Sequence, residues 1–335
     1  MATGQTTTGD ISYTTGLFAI AEMLYRAVPY LVFEKFGQTY VLPNNNSKTA
    51  RFSRYIALDA TPTTLTEGVT PDAIKLEKEV VDAVLQQYGS RIELSDIILD
   101  THEDPVLKEG LSVLSEQAAE MIENVRFGVL KAGTSVMYAD GDDFDGGRTA
   151  VVDHLTLKLQ RAITRKMKAN KARMITKIVR SNPSYETRNI APAYVAVCHP
   201  NCEADIRDMS GFKAAEDYGT ISPWENEIGA VEGVRYIFST IIAPWEDAGG
   251  NPDTNSIEST SGTAANVYPI LYLAQYAYGI VPLKGQNSLT PMVVNPKPSD
   301  SDPLGQRGHI GWKAMQACVI LNDDFIYRAE VGVSV

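Results

Sequence analysis

The chain has few cysteines and no long apolar run, and each shortage excludes a class of protein. Its 335 residues include three cysteines, an odd number at uneven spacing, which argues against a disulfide framework and favours a reducing cytoplasm. No apolar run reaches the roughly 18 residues that a transmembrane helix needs. The first residues, MATGQTTTGDISYTTG, have neither the basic nor the apolar region of a secretory signal. We therefore expect a protein that is made in the cytoplasm and does not enter a membrane.

Motifs that mark common catalytic and cofactor sites are also missing. The sequences GxGxxG, GxxxxGK[ST], HExxH and GxSxG do not occur, and each of these supplies a phosphate cradle, a metal site or a nucleophile in the proteins that use it. The four histidines are scattered, at His102, His154, His199 and His309. The sequence therefore predicts no enzyme activity and no cofactor.

Two segments resemble metal sites, and both lack part of the required pattern. The acidic segment DGDDFDGG at 140–147 fails the register of a calcium-binding EF-hand, because Asp145 stands where that loop needs glycine and Val151 where it needs glutamate. Cys198, His199 and Cys202 have no second Cys/His pair nearby, as a zinc site would need. We predict no metal site, although a hydrolase that binds a divalent ion at the acidic segment is a minor alternative.

Positive charge is concentrated in one part of an acidic chain. The formal charge is −11, which argues against general affinity for DNA or anionic membranes. Residues 154–185 contain nine basic residues and no acidic one, so the rest of the chain carries −20 (−11 less the nine positive charges). A helix predicted over 151–179 would present these cations either to solvent or to a partner, which would be an acidic neighbouring subunit or packaged nucleic acid. The candidate contact residues are Arg161, Arg165, Lys168 and Arg173.

The segment 40–97 has the composition of a long, mostly polar two-stranded ribbon. Its outgoing half is predicted over 48–71 and its returning half over 75–97, and an isolated two-stranded ribbon is at best marginally stable in water. We therefore predict that another copy of the same protein covers it. The candidate interface residues are Lys48, Arg51, Arg54, Glu67 and Arg91. The alternative is that these charges only protect exposed strand edges from unwanted pairing.

The remaining patterns predict a mixed α+β fold. Residues 1–16 have the composition of a polar arm, and 17–36 favour a helix that is broken at Pro29. A long helix is predicted to begin at Pro105 and to end before Gly133, because apolar residues recur at intervals of three and four between them. Strands are predicted over 194–198 and 233–240, a short helix over 203–209 and a surface loop over 245–266. One or two strands over 309–331 would close the fold.

Five segments carry a resemblance to a known family. DATPTTLTEGVTP (59–71) and YGSRIELSDI (88–97) resemble the extended-loop region of tailed-phage major capsid proteins, in particular the podovirus family typified by the coat protein of phage N-four. CHPNCEADIRDM (198–209), EIGAVEGVRYI (227–237) and DPLGQRGHIGWK (302–313) are similar to blocks of that family and stand in the same order. The resemblance covers the chain from about residue 48 to its end.

This resemblance implies the Hong Kong 97-like capsid fold and a role in the virion. The implied segments are an N-terminal arm (1–43), an extended β-loop (44–98), a peripheral domain with a long spine helix (99–145), an axial domain (146–278) and a return to the peripheral domain (279–335), with the C-terminal strands in the peripheral sheet. The implied function is that of a major capsid protein of a tailed dsDNA bacteriophage, which forms the hexamers and pentamers of an icosahedral shell. Implied partners are further copies of the chain, portal, scaffolding and decoration proteins, and packaged dsDNA on the inner face. An encapsulin-like compartment subunit is the alternative, since such shells have the same fold.

Overall fold

The computed structural model describes residues 32–43, 47–62, 64, 67–68, 70, 73–95, 106–141, 143–179, 187–218, 223–283, 289–298 and 303–335. The predicted N-terminal arm and the predicted helix before Pro29 lie outside these residues. Of the region predicted as 17–36, the structure describes a short 3-10 turn at Phe33–Lys35. The described chain combines α-helices with three β-sheets, as the mixed α+β prediction requires.

A five-stranded sheet is organised around one long strand near the C-terminus. Its members are β1 (Gln38–Thr39), β4 (Gln86–Ser95), β12 (Tyr278–Pro282), β13 (Leu289–Val294) and β14 (Arg307–Ile320). Strands β4, β12 and β13 all pair antiparallel with β14, and β1 pairs parallel with β12. The pairing of β4 with β14 runs from Ser95 opposite Arg307 to Gln86 opposite Gln316. A segment more than two hundred residues away in sequence thus provides the partner of β4.

Helix α1 (Val106–Leu130) packs across this sheet. Leu111, Leu114 and Ala118 lie on one stripe of the helix and contact the buried side chains of Ile310 and Trp312 on β14. At about 1.5 Å per residue the helix is close to 38 Å long. The amide of Gly133 donates to the carbonyl of Leu130 at 3.3 Å in the turn that ends it. The predicted long helix is therefore confirmed.

The larger sheet has eight strands, and most of them come from the middle of the chain. They are β5 (Val136–Tyr138), β6 (Ile175–Val179), β7 (Thr187–Cys198), β8 (Lys213–Ala214), β9 (Glu227–Val231), β10 (Val234–Phe238), β11 (Tyr268–Leu273) and β15 (Ile326–Val331). The strand order is β5-β15-β11-β7-β10-β9-β8, and β6 also pairs with β7. The predicted strands over 194–198 and 233–240 are β7 and β10. Both predictions are confirmed.

Both faces of the larger sheet are buried. Along β7, Tyr194 and Ala196 point into one hydrophobic cluster, whereas Val195 and Val197 point into another. Such an alternation of two apolar sets is expected where a strand has a core on each side. Helix α2 (Leu157–Ala169) covers the first face with Leu159, Ile163 and Met167. Helix α3 (Glu203–Asp208) follows β7, close to the predicted 203–209.

The basic helix is shorter than predicted. We expected it over 151–179, but α2 ends at Ala169, Lys171 has a positive φ of 58°, and Ile175–Val179 forms β6. The left-handed conformation of Lys171 cannot continue an α-helix, so the chain turns back and joins the sheet. Arg173 therefore lies outside the helix, between the turn and β6.

The returning half of the ribbon also differs from the prediction. The ribbon consists of β2 (Thr49–Tyr55) and β3 (Lys78–Val84), paired antiparallel from Thr49 opposite Val84 to Tyr55 opposite Lys78. The rest of the predicted return, Gln86–Ser95, is β4 and belongs to the five-stranded sheet. Arg91 lies there, opposite Gly311. Its predicted place on an uncovered ribbon is therefore wrong.

The C-terminal strands are divided between the two sheets. Strands β14 and β15 were expected together in the peripheral sheet, but β15 pairs with β11 and β5 in the eight-stranded sheet. Of these two strands, only β14 belongs to the five-stranded sheet that packs against α1. By contrast, the loop predicted over 245–266 is confirmed, since its only regular element is a 3-10 turn at Pro252–Thr254.

Candidate assembly surfaces

The base of the ribbon is fixed to the body of the protein. Ala50 on β2, Ala83 on β3 and the adjoining Leu85 are buried, and they form a cluster with Val281 and Ala317 of the five-stranded sheet. Phe52 packs against this cluster as well. Alternate residues of the two strands therefore anchor the first few residues of the ribbon. This shared core attaches the base of the ribbon to the body.

Beyond Phe52 the ribbon carries large apolar side chains that nothing in the described chain covers. Ile74 is 68% exposed and Leu76 is 58% exposed. Tyr55, Ile56, Leu58 and Val80 are also exposed here. We call these six residues the ribbon apolar patch. The backbone remains paired past the ends of β2 and β3, because the amide of Ile56 donates to the carbonyl of Glu77 at 3.0 Å. Several large exposed apolar residues on one short segment are typical of protein interaction sites.

Two of the predicted interface arginines have acidic partners on the same ribbon. Arg51 lies directly opposite Asp82, with Nε 2.7 Å from Oδ1 and Nη2 2.8 Å from Oδ2. Arg54 lies opposite Glu79, with Nε 2.7 Å from Oε2. The hydrogen bond from Arg51 lowers the pKa of Asp82. These pairs hold the two strands in register, and a role between subunits stays a prediction for both arginines.

The other three interface candidates lie apart from one another. Lys48 is exposed just before β2, and its carbonyl accepts from the amide of Leu85 at 2.9 Å. Glu67 is exposed in a turn between β2 and β3. Arg91 is exposed on β4. The structure therefore gathers Arg51 and Arg54 on one ribbon but does not bring all five candidates to one surface.

Helix α2 presents a row of exposed cations, Lys158, Arg161, Arg165 and Lys168, which we call the basic face. Thr156 caps the helix, because its Oγ1 accepts from the amide of Leu159 at 3.3 Å. Arg161 binds Glu232 through two hydrogen bonds, one of 2.8 Å from Nε to Oε2. Arg165 and Lys168 have no ion pair within the described residues. The spacing of three and four residues places all four on one side of the helix.

Comparison with known proteins assigns the chain to a family. A family model described as phage capsid protein matches residues 78–329. The chain belongs to this phage capsid protein family. It is accordingly a structural protein of the phage virion. No curated protein sequence matches the chain.

Solved capsid structures have the same fold as this capsid protein. The capsid of Ralstonia phage GP4 matches with a TM-score of 0.64 at 13% identity, covering 89% of this chain and 87% of that one. The cyanophage Pam1 capsid matches with a TM-score of 0.62 at 13% identity, covering 92% of each chain. The capsid of Helicobacter pylori bacteriophage KHP30 matches with a TM-score of 0.58 at 9% identity, covering 88% of this chain and 87% of that one. The predicted Hong Kong 97-like fold is thus confirmed, and the encapsulin-like alternative is not favoured.

No membrane span or metal cluster appears in the part of this capsid protein that the structure describes. None of the described helices combines the length and hydropathy that crossing a bilayer requires. The same residues contain no group of three His, Cys, Asp or Glu side chains that could hold a metal ion. Asp142 of the acidic segment lies outside the described residues. Its neighbour Asp140 closes the turn by accepting from the amides of Phe144 at 2.9 Å and Gly146 at 2.8 Å.

A buried carboxyl group on α1 was not among the predicted functional residues. Glu123 is fully buried, and its Oε1 accepts from the amides of Val32 at 3.0 Å and Phe33 at 3.2 Å. Burial raises the pKa of Glu123 to about 7, against the opposing effects of Arg126 and of the two amides. The available signal was a second buried stripe on α1, formed by Ala119, Glu123, Phe127 and Leu130. Glu123 thus attaches the segment before β1 to the spine of this capsid protein.

Proposed function

We propose that this chain is the major capsid protein of a tailed dsDNA bacteriophage and that its copies assemble into the hexamers and pentamers of an icosahedral head. The observation that carries the proposal is the family match over residues 78–329. The ribbon supplies the physical reason for assembly, since its apolar patch extends from the body without cover in the described chain.

The ribbon apolar patch gains stability when a neighbouring copy covers it. Each square ångström of apolar surface removed from water contributes about 25 cal/mol, and Ile74 and Leu76 both expose more than half of their surface, at 68% and 58%. A ribbon that is fixed at one end and reaches onto the next copy makes a head-to-tail contact. Repeated head-to-tail contacts close into rings when the rotation between copies allows it. Obligate interfaces of this kind bury more than about 2,000 Å².

The domain division follows from the same proposal. The arm (1–43), extended loop (44–98), spine-helix region (99–145), axial region (146–278) and return (279–335) are proposed segments of the shell subunit. Their support is the position of α1 on the five-stranded sheet and of 146–278 mostly on the eight-stranded one. Portal, scaffolding and decoration proteins, and dsDNA on the inner face, are proposed partners of the assembled head. The absence of catalytic motifs from the sequence favours a purely structural role.

The decisive experiment is to express the full chain and to measure its assembly by analytical ultracentrifugation and electron microscopy. We expect capsomers or closed particles of megadalton mass. Ile74→Asp together with Leu76→Asp should abolish both, because two charges would then lie in the proposed contact. Leu304→Asp is the matched control, since Leu304 is 77% exposed and lies outside the ribbon. A wild-type protein that remains monomeric at high concentration would overturn the proposal, and particles from infected cells that lack dsDNA would favour the compartment alternative.

A further inference from the structure

Two cations on the basic face form no ion pair with a described residue, although one of them, Lys168, acts electrostatically on Glu232 and helps to lower its pKa, after Arg161. Within this face Arg161 is held by Glu232, and Lys158 lies over the ring of Phe144 at 5.3 Å. Arg165 and Lys168, one and two turns further along α2, are exposed and form no ion pair with the described residues. Their side of the helix therefore offers an exposed positive surface beside Glu232. The opposite side of α2 is fixed in the core by Leu159, Ile163 and Met167.

A complementary pair of carboxylates lies at the far end of the same sheet. Glu216 and Asp217 belong to the 3-10 turn Ala215–Asp217, which directly follows β8. Both side chains are exposed, and neither forms an ion pair with a described residue. Strand β8 is the last strand of the eight-stranded sheet. We call these two residues the acidic turn.

The two charged surfaces do not pair within the described chain. Helix α2 reaches the turn between β9 and β10, because Arg161 binds Glu232 there and Nε2 of Gln160 donates to the carbonyl of Val231 at 2.8 Å. The acidic turn lies toward the other end of β9, since Ala214 is opposite Gly229 and residues 215–217 follow in the direction of Glu227. No ion pair joins Arg165 or Lys168 to Glu216 or Asp217 among the described residues. These charges are therefore available to a second copy.

We propose that Arg165 and Lys168 of one copy bind the acidic turn, Glu216 and Asp217, of the next copy within a ring of subunits. The inference rests on the proposed function, since it requires that copies assemble. A contact between two different patches is heterologous and propagates around a ring, as capsomers require. Electrostatic complementarity of this kind fixes orientation and speeds association more than it adds affinity.

A second copy is favoured over nucleic acid as the occupant of the basic face. The chain carries a formal charge of −11, so copies repel one another and also repel phosphate unless opposite charges are placed at their contacts. The described exposed residues of α2 include no aromatic side chain on which a base could stack. The acidic turn, by contrast, supplies the exposed carboxylates that match two guanidinium or ammonium groups.

The test is a charge swap in the full chain. Arg165→Glu with Lys168→Glu should reduce the yield of capsomers and closed particles at least tenfold, and Glu216→Lys with Asp217→Lys should do the same. The four substitutions combined should restore assembly, because the attraction is then rebuilt with its signs exchanged. Circular dichroism of each variant should match that of the wild type, since all four side chains are exposed.

A control for total charge is Lys297→Glu with Lys313→Glu, two exposed lysines at and beside the five-stranded sheet. This pair changes the formal charge as much as the substitutions on α2 do, and it should assemble like the wild type. Equal loss in this control, or no rescue by the four-residue swap, would overturn the inference. Normal shells of the α2 variant that retain less nucleic acid would also overturn it, in favour of a nucleic-acid contact. Failure of the wild type itself to assemble would instead count against the proposed function.

Discussion

At the scale of single residues, Glu123 has an unusual place for a carboxyl group. Burial raises its pKa to about 7, whereas Arg126 and the amides of Val32 and Phe33 act in the opposite direction. Its other oxygen, Oε2, has no hydrogen-bond partner among the described residues. A carboxyl group with a raised folded-state pKa adds stability below its unfolded pKa, and this stability is lost as the pH rises through the folded value. The attachment of residues 32–36 to α1 is therefore expected to weaken as the pH rises from about 4.5 to about 7.

Glu123→Gln tests this pH dependence. Glutamine keeps the shape of the side chain and an oxygen that accepts from the two amides, but it does not titrate. The wild-type subunit should lose stability as the pH rises from about 4.5 to about 7, by no more than about 3 kcal/mol, whereas the variant should lose less. Thermal unfolding across this pH range measures the effect, and hydrogen exchange at the amides of Val32 and Phe33 locates it. Parallel pH profiles of the two proteins would show that Glu123 is not the titrating group.

At the scale of elements, local patterns were predicted well and distant pairings were not. Helix α1 was found because its apolar residues recur every three or four positions, which is a property of the segment itself. The end of α2 was missed because no sequence pattern marks Lys171 as left-handed. Strand β4 was assigned to the ribbon because its pairing depends on β14, more than two hundred residues away. Glu216 and Asp217 were not predicted as contact residues, because the sequence does not show that they follow the last strand of the eight-stranded sheet.

The pairing of β2 with β3 includes two ion pairs, Arg51 with Asp82 and Arg54 with Glu79, whose positive charges can be reversed by substitution. Arg51→Glu with Arg54→Glu places carboxylates opposite Asp82 and Glu79, and like charges directly opposite destabilise a strand pair. We expect soluble subunits that do not form closed shells. Electron microscopy of the purified variant provides the measurement.

Exchanging the charges of one ion pair distinguishes a role of Arg51 in pairing the two strands from a role in binding a neighbouring copy. Arg51→Asp with Asp82→Arg keeps opposite charges at facing positions, so the ribbon should stay formed. If Arg51 acts only across the ribbon, this swap should assemble normally. If Arg51 also binds a neighbouring copy, the swap should assemble as poorly as the double reversal. Normal particles from the double reversal would remove these arginines from assembly altogether.

At the scale of the whole molecule, the body and the ribbon differ in what stabilises them. The body has two sheets with their own buried clusters. The ribbon shares a core with the body only at its base, through Ala50, Ala83 and Leu85. Its outer part exposes the apolar patch and therefore depends on association. The subunit is thus expected to fold without the outer ribbon but not to assemble without it.

Replacement of residues 57–76 by Asn-Gly tests this separation. The amide of Ile56 already donates to the carbonyl of Glu77 at 3.0 Å, so a two-residue turn can join them, and Asn-Gly favours the turn that closes a tight hairpin. Because the buried base is unchanged, the melting temperature of the isolated subunit should remain within a few degrees of the wild-type value. Sedimentation should show neither capsomers nor shells. Closed particles from the shortened chain would mean that residues 57–76, with the exposed Leu58, Ile74 and Leu76, are dispensable for assembly.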